Sequence, residues 1–243
     1  GVEQSQGVLA RDAEHGAGAQ GLQRLDHQVP SVAAVLGRRS LLEVRVSLRA
    51  HAPSPASVCS WPARPARKAR PTKRRAEGQA QAEAVANEIV STVGPDITFP
   101  LMTSPLKRCR ETSMPLARHW SAVPVVEPAV SEIPSPTDNL DERAQWLRRF
   151  LFGTWADIEK DPTSTGVDFV GWRNALVDRL KQLEEDTVIF SHFIAINAAV
   201  GAAMDDDRVV CFRPDNCSVT CFDVTPELLK VVSLGREADT VVR

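Results

Sequence analysis

The chain has no apolar run near the roughly 18–20 residues that span a bilayer, so no segment reads as a transmembrane helix. Its start lacks a charged segment followed by a clean apolar stretch, and no secretory signal is evident. The signs of a disulfide framework are missing too. Cys59, Cys109, Cys211, Cys217 and Cys221 are odd in number and show no repeated C-x-x-C spacing. That pattern favours free thiols in a reducing cytosol, and hence a cytoplasmic protein. A metal site on Cys211, Cys217 and Cys221 has less support than ordinary packing, because free cysteine behaves as a small buried hydrophobe. An initiator methionine is also absent: the chain opens on Gly1, as a fragment, a processed form or a conceptual read-through would.

What is present fits a globular protein. At 243 residues, 43% of them hydrophobic and 25% charged, the chain has room for one sizeable domain and an extension. The net charge of −2 hides an uneven distribution. Residues 61–75 carry Arg64, Arg67, Lys68, Arg70, Lys73, Arg74 and Arg75 with no acid, while acids concentrate beyond position 127. Such a run could contact nucleic-acid phosphates. Only Trp61 interleaves it and no recognition motif frames it, so a solvated stretch is the better reading. No membrane partner is indicated, and the oligomeric state is not legible.

Residues 1–41 show no amphipathic period, and Gly16, Gly18 and Gly21 would weaken a helix there. Leu42-Glu-Val-Arg-Val-Ser-Leu48 alternates as a half-buried strand does, and Pro53 ends it. Residues 53–76 form a basic irregular loop rich in Pro, Ala, Ser and Arg. The bias of this third also suggests translation from a shifted frame, which resequencing the coding DNA would test. A helix is expected from about Glu77 to Gly94-Pro95, with Ala82, Val85, Ala86 and Ile89 inward. Then come a strand over 97–102 and a helix to about His119, with Ser104 as N-cap and Pro105 at its first position.

Val123–Val126 is a short strand candidate. The next helix turns Leu140, Ala144, Leu147 and Leu151 inward. A helix over about 167–184 carries Phe169, Trp172, Leu176, Leu180 and Leu183 on one face, with Arg173, Asp178 and Lys181 outward. Strand 187–191, helix 193–203, strand 217–223 and an edge strand over 229–234 complete the order. Strands alternating with helices predict an α/β fold, a three-layer α/β/α sandwich with a mostly parallel sheet. The domain is expected over 42–235, with 236–243 as a tail. Trp146, Trp155 and Trp172 suit either a pocket over the site or the core.

Several segments carry candidate chemistry. Arg108, in the first turn of a helix after a strand, presents a guanidinium fork suited to a phosphate dianion; its alternative is a surface arginine. Glu132 follows the next strand, where a carboxylic acid near an anion can protonate a departing oxygen; the alternative is a solvated loop glutamate. His192 ends a buried strand, the position where open α/β sheets place ligand sites. His51 follows the alternating strand, and neutral imidazole is a competent nucleophile near pH 7.

Taken in order, Gly78-Gln-Ala-Gln81-Ala82, Ser104-Pro-Leu-Lys-Arg108-Cys-Arg-Glu-Thr112, Val130-Ser-Glu132 and Phe190-Ser-His192 resemble the segments of the histidine phosphatase superfamily, the phosphoglycerate-mutase-like phosphatases. The second of these is similar to that family's Ser-Pro-Leu-x-Arg-Ala-x-x-Thr motif. Val46-Ser-Leu-Arg49-Ala50-His51-Ala52 matches its opening Arg-His strand, with Arg49 two residues before His51 instead of adjacent. Phe193 stands where the family has the first glycine of Ser-His-Gly-Gly. The resemblance covers about residues 44–225 and is strongest over 97–225. It implies a phosphomonoester hydrolase acting through phosphohistidine on a small phosphorylated metabolite. His51 would be the nucleophile, Glu132 the acid and His192 a phosphoryl contact, with Arg49 and Arg108 binding phosphate. No metal and no cofactor are implied. Two alternatives stay open: a member that only binds phosphorylated ligand, and a phosphoglycerate-mutase-type phosphotransferase. The Gly-x-x-Glu-Gly signature of phosphoglycerate-type members is missing between Glu132 and Trp155.

Overall fold

The computed structural model describes residues 73–238. The expected strand 42–48, Arg49, His51 and most of the basic segment lie outside these residues. Helix α1 spans Lys73–Val93, starting four residues before the expected Glu77. Val85, Ala86 and Ile89 form its buried face, as their helical spacing requires. It stops at Gly94, which takes φ +103 and donates its amide to the Val90 carbonyl. That backbone conformation suits glycine.

Strand β1, Leu101–Thr103, is shorter than its apolar run suggested. It leads through a turn into α2, Lys107–His119, and then β2, Val125–Val126. After a short 3-10 turn, Pro128–Val130, come α3, Leu140–Phe150, and α4, Trp155–Lys160. Asn139 caps α3 by accepting the amides of Asp141 and Glu142. Thr154 and Asp157 close a reciprocal capping box on α4, a helix the periodicity did not reveal. Helix α5, Phe169–Lys181, is capped by Asp168. Strand β3 follows at Val188–Phe190 and α6 at Phe193–Met204. Strands β4, Cys221–Val224, and β5, Leu229–Ser233, form an antiparallel hairpin. The strand expected over 217–223 therefore begins at Cys221.

The main sheet has the order β2-β1-β3, parallel throughout. Met102 pairs with Val125 on one side and with Ile189 on the other, so the three carboxyl ends emerge together. Alternation along the strands divides the core. Leu101, Val188 and Phe190 pack on α1 and α2 with Leu116 and Trp120. Met102 and Ile189 face the opposite layer, where α3 to α6 contribute Trp146, Trp155, Leu176, Leu180 and Ile194. Two helical layers around a parallel sheet make the expected α/β/α sandwich.

Trp146 and Trp155 are buried in that core, which settles their role as packing. Arg173, expected outward, is half-buried instead: its guanidinium lies 4.6 Å over the Trp155 ring and 3.6 Å from Asp207. The ring face attracts the cation while the alkyl stem covers apolar surface. No helix among the described residues is long and apolar enough to cross a membrane.

Candidate active site

The carboxyl ends of β1 and β3 deliver the first residues of the site. The Ser104 amide donates to the Phe190 carbonyl at 2.9 Å, extending the parallel ladder one residue past β1. Ser104 does not cap α2; the N-cap is Leu106, and Pro105 stays outside the helix. The hydroxyl accepts the Leu106 amide at 3.2 Å but turns its other side to His192. A long-range partner thus displaces the local capping geometry. The first turn of α2 then carries Arg108, partly exposed, and Cys109, wholly buried.

His192 leaves β3 and becomes the N-cap residue of α6, its carbonyl accepting the Ile196 amide at 2.8 Å. Its ring is buried and held on both sides. Arg108 Nε donates to Nδ1 at 3.0 Å. Nε2 lies 2.7 Å from Ser104 Oγ and 3.4 Å from Cys109 Sγ.

Glu132 arrives from the other side. Ser191 Oγ donates to the Val130 carbonyl at 2.8 Å, tying the last residue of the 3-10 turn to the end of β3. One Glu132 oxygen accepts the Ile133 amide at 3.0 Å; the carboxylate also takes the Ile194 amide in the first turn of α6. The other oxygen lies 4.0 Å from Arg108 Nη2. Arg143, on α3, donates to the Ile133 carbonyl at 3.2 Å and adds a second cation beside the group. Of the predicted residues, Arg108, Glu132 and His192 therefore converge, from three segments, at the carboxyl edge of the sheet. Arg49 and His51 lie outside the described residues.

Burial governs how these groups titrate. The His192 imidazole is pushed down to about 3, first by burial and then by the Arg108 and Arg143 charges. It is neutral at physiological pH. Burial pushes the Glu132 carboxyl above the usual carboxylate range, against the pull of the Ile133 amide, Arg108, Arg143 and the Ile194 amide. A shift in this direction makes a carboxyl keep its proton to higher pH, the sense a general acid needs. Beside it stands a guanidinium that can bind an anion.

Sequence reasoning missed three neighbours. Ser104 was assigned to a helix cap. Cys109 had no role in the sequence reading beyond its place in the motif; burial pushes it up to about 12 and its Sγ lies 3.2 Å from the Ser191 carbonyl. The departure from alanine beside Arg108 was the available signal. Arg143 sits next to the inward Ala144 and carried no signal of its own. Among the described residues, no group of three or more His, Cys, Asp or Glu side chains is placed to hold a metal ion.

Comparison with known proteins bears on this geometry. No curated protein sequence matches the chain. An alpha-ribazole phosphatase from Shigella flexneri superimposes with a TM-score of 0.50 at 17% identity, covering 69% of this chain and 86% of that one; it shares the fold. A phosphoserine phosphatase from Entamoeba histolytica, solved with phosphoserine, gives a TM-score of 0.49 at 22% identity, covering 67% of this chain and 82% of that one. The family model described as histidine phosphatase superfamily (branch 1) matches residues 75–237, from the first turn of α1 to beyond β5, and the chain belongs to that superfamily.

Proposed function

We propose that the chain is a phosphomonoester hydrolase acting through a phosphohistidine on a small phosphorylated metabolite, with residues 42–235 as its domain. The observation that carries this reading is the convergence of Arg108, Glu132 and His192 at one edge of a parallel sheet. In this reading strand 42–48 delivers His51 to the same edge. A place for that strand is available: β3 is fully buried, yet among the described residues it pairs only with β1, and buried parallel strands ordinarily have neighbours on both sides.

The His51 lone pair attacks phosphorus in line, and the bond from phosphorus to the leaving oxygen breaks. Glu132 gives that oxygen its proton. Arg108 and Arg49 neutralise the remaining phosphoryl oxygens and His192 contacts them, a task cationic and hydrogen-bonding groups can perform without a metal. Water then attacks the phosphohistidine and passes its proton to the Glu132 carboxylate, which restores both groups.

Rapid-quench labelling tests the covalent step. Phosphorus should appear on His51 during turnover, and His51→Ala should abolish both label and hydrolysis. Turnover without label on His51 would exclude the route. Phosphate that raises the melting temperature without any hydrolysis of p-nitrophenyl phosphate would instead indicate a protein that only binds its ligand.

A further inference from the structure

We infer that Ser104 and Cys109 are positioning residues that hold His192 in one neutral tautomer, with the proton on Nε2 and the lone pair on Nδ1. The argument starts from two groups whose hydrogen-bond sense cannot change. A guanidinium only donates, so the 3.0 Å bond from Arg108 Nε requires a lone pair on His192 Nδ1. A carbonyl only accepts, so the 3.2 Å contact between Cys109 Sγ and the Ser191 oxygen directs the thiol proton there.

The links between these ends are then oriented in turn. With Nδ1 bare, the ring's proton is on Nε2 and points at Ser104 Oγ, 2.7 Å away. That oxygen also takes the Leu106 amide at 3.2 Å, which fills its accepting capacity. Its own proton goes to the Cys109 sulfur, with which the Ser104 side chain is hydrogen-bonded. The chain therefore runs in a single direction from Arg108 through His192, Ser104 and Cys109 to the Ser191 carbonyl. The opposite tautomer would set a ring N–H against the Arg108 N–H and draw the Ser104 proton to Nε2, away from the Cys109 sulfur. Ser104, Cys109 and His192 are all buried, where a mispaired polar group costs most.

Cys109 is the distinctive element. The phosphatase motif it resembles carries alanine there, which could neither receive the serine proton nor pass one on. The tautomer places the basic nitrogen on the Arg108 side. A phosphate dianion drawing Arg108 toward itself would expose Nδ1, so a proton taken up on ligand binding enters at that atom while Nε2–H stays on Ser104. This consequence rests on the phosphatase reading; the tautomer itself does not.

Long-range proton–nitrogen NMR on the 15N-labelled full chain, with His192→Gln to assign the ring, reads the tautomer directly. Wild type should show a bare Nδ1 and a protonated Nε2. Cys109→Ser keeps a donor and an acceptor and should preserve that pattern, whereas Cys109→Ala and Ser104→Ala should give a tautomer mixture. On a phosphomonoester, Cys109→Ala should lower kcat about tenfold with KM little changed, the scale of one net hydrogen bond, and Cys109→Ser should recover most of it. A protonated Nδ1 in wild type would overturn the inference, even if every variant failed to fold. So would a single unchanged tautomer in folded Cys109→Ala and Ser104→Ala. The expected tautomer in a protein without phosphatase activity would uphold this inference while sinking the proposed function.

Discussion

Replacing Glu132 with glutamine separates acid catalysis from site architecture. Glutamine is nearly isosteric, and its carbonyl can keep the bond from the Ile133 amide at 3.0 Å, but it has no proton to give. General acid catalysis contributes about 10²- to 10⁴-fold, or roughly 2.7–5.5 kcal/mol of barrier. The loss should depend on the leaving group. An alkyl phosphomonoester expels a strongly basic oxygen and should lose the full factor. p-Nitrophenyl phosphate expels a stable phenolate and should lose about tenfold or less. The assay is kcat for both substrates from pH 5 to 9, wild type against Glu132→Gln. Equal losses on the two substrates, or full alkyl phosphatase activity in the variant, would refute the assignment of Glu132 as the acid.

The same substitution makes a stability prediction of opposite sign. Burial raises the folded-state Glu132 pKa above its ordinary value of 4.5, so the folded protein binds this proton more tightly than the unfolded chain does. The associated stability is present at low pH and is lost as pH climbs through the raised folded value. Glutamine cannot ionise and escapes that loss. Glu132→Gln should therefore be at least as stable as wild type to urea at pH 8, and its relative advantage should shrink toward pH 4. An impaired enzyme with an undiminished fold is the expected phenotype.

Three further outcomes follow from the geometry. Arg108→Lys keeps the charge but loses the Nε bond to His192 and the planar fork, so phosphate affinity should fall ten- to a hundredfold, as charged hydrogen bonds of about 1.5–3 kcal/mol imply; calorimetric titration with phosphate measures it, and unchanged affinity would remove Arg108 from the site. His192, depressed from 6.5 to about 3, binds its proton less well folded than unfolded, so its contribution is intact above about pH 6.5 and declines below it. Between pH 6.5 and 5 urea titrations should show wild type losing about 2 kcal/mol more than His192→Asn loses; parallel slopes would mean the imidazole is not buried. Asn197, buried, accepts the Cys211 amide at 2.7 Å and the Phe212 amide at 3.0 Å. Asn197→Ala strands both donors and should cost about 2–4 kcal/mol, read as a lower urea midpoint at unchanged slope.

What was legible in the sequence was local. The spacing of Val85, Ala86 and Ile89 located α1, the spacing of Phe169, Leu176 and Leu180 located α5, and both faces are buried as that period demands. The apolar run before His192 announced β3, and the position of Arg108 one turn into a helix was visible from its neighbours. What misled was also local. Ser104 followed by Pro105 satisfies the rules for a helix start, and those rules describe a serine with nothing better to bind. Here a ring 88 residues away supplies a partner, and the helix begins later for that reason. Arg108 meets the same ring across 84 residues, and Cys109 across 83. Each contact exists only because β1 and β3 pair in parallel register, which brings Thr103 opposite Phe190. A one-residue slip would turn every side chain on β3 to the other face and carry the end of β3 away from Ser104. The site is therefore a consequence of sheet register. Residue types advertised Arg108, Glu132 and His192 as candidates, and only the pairing of two three-residue strands decides that they meet.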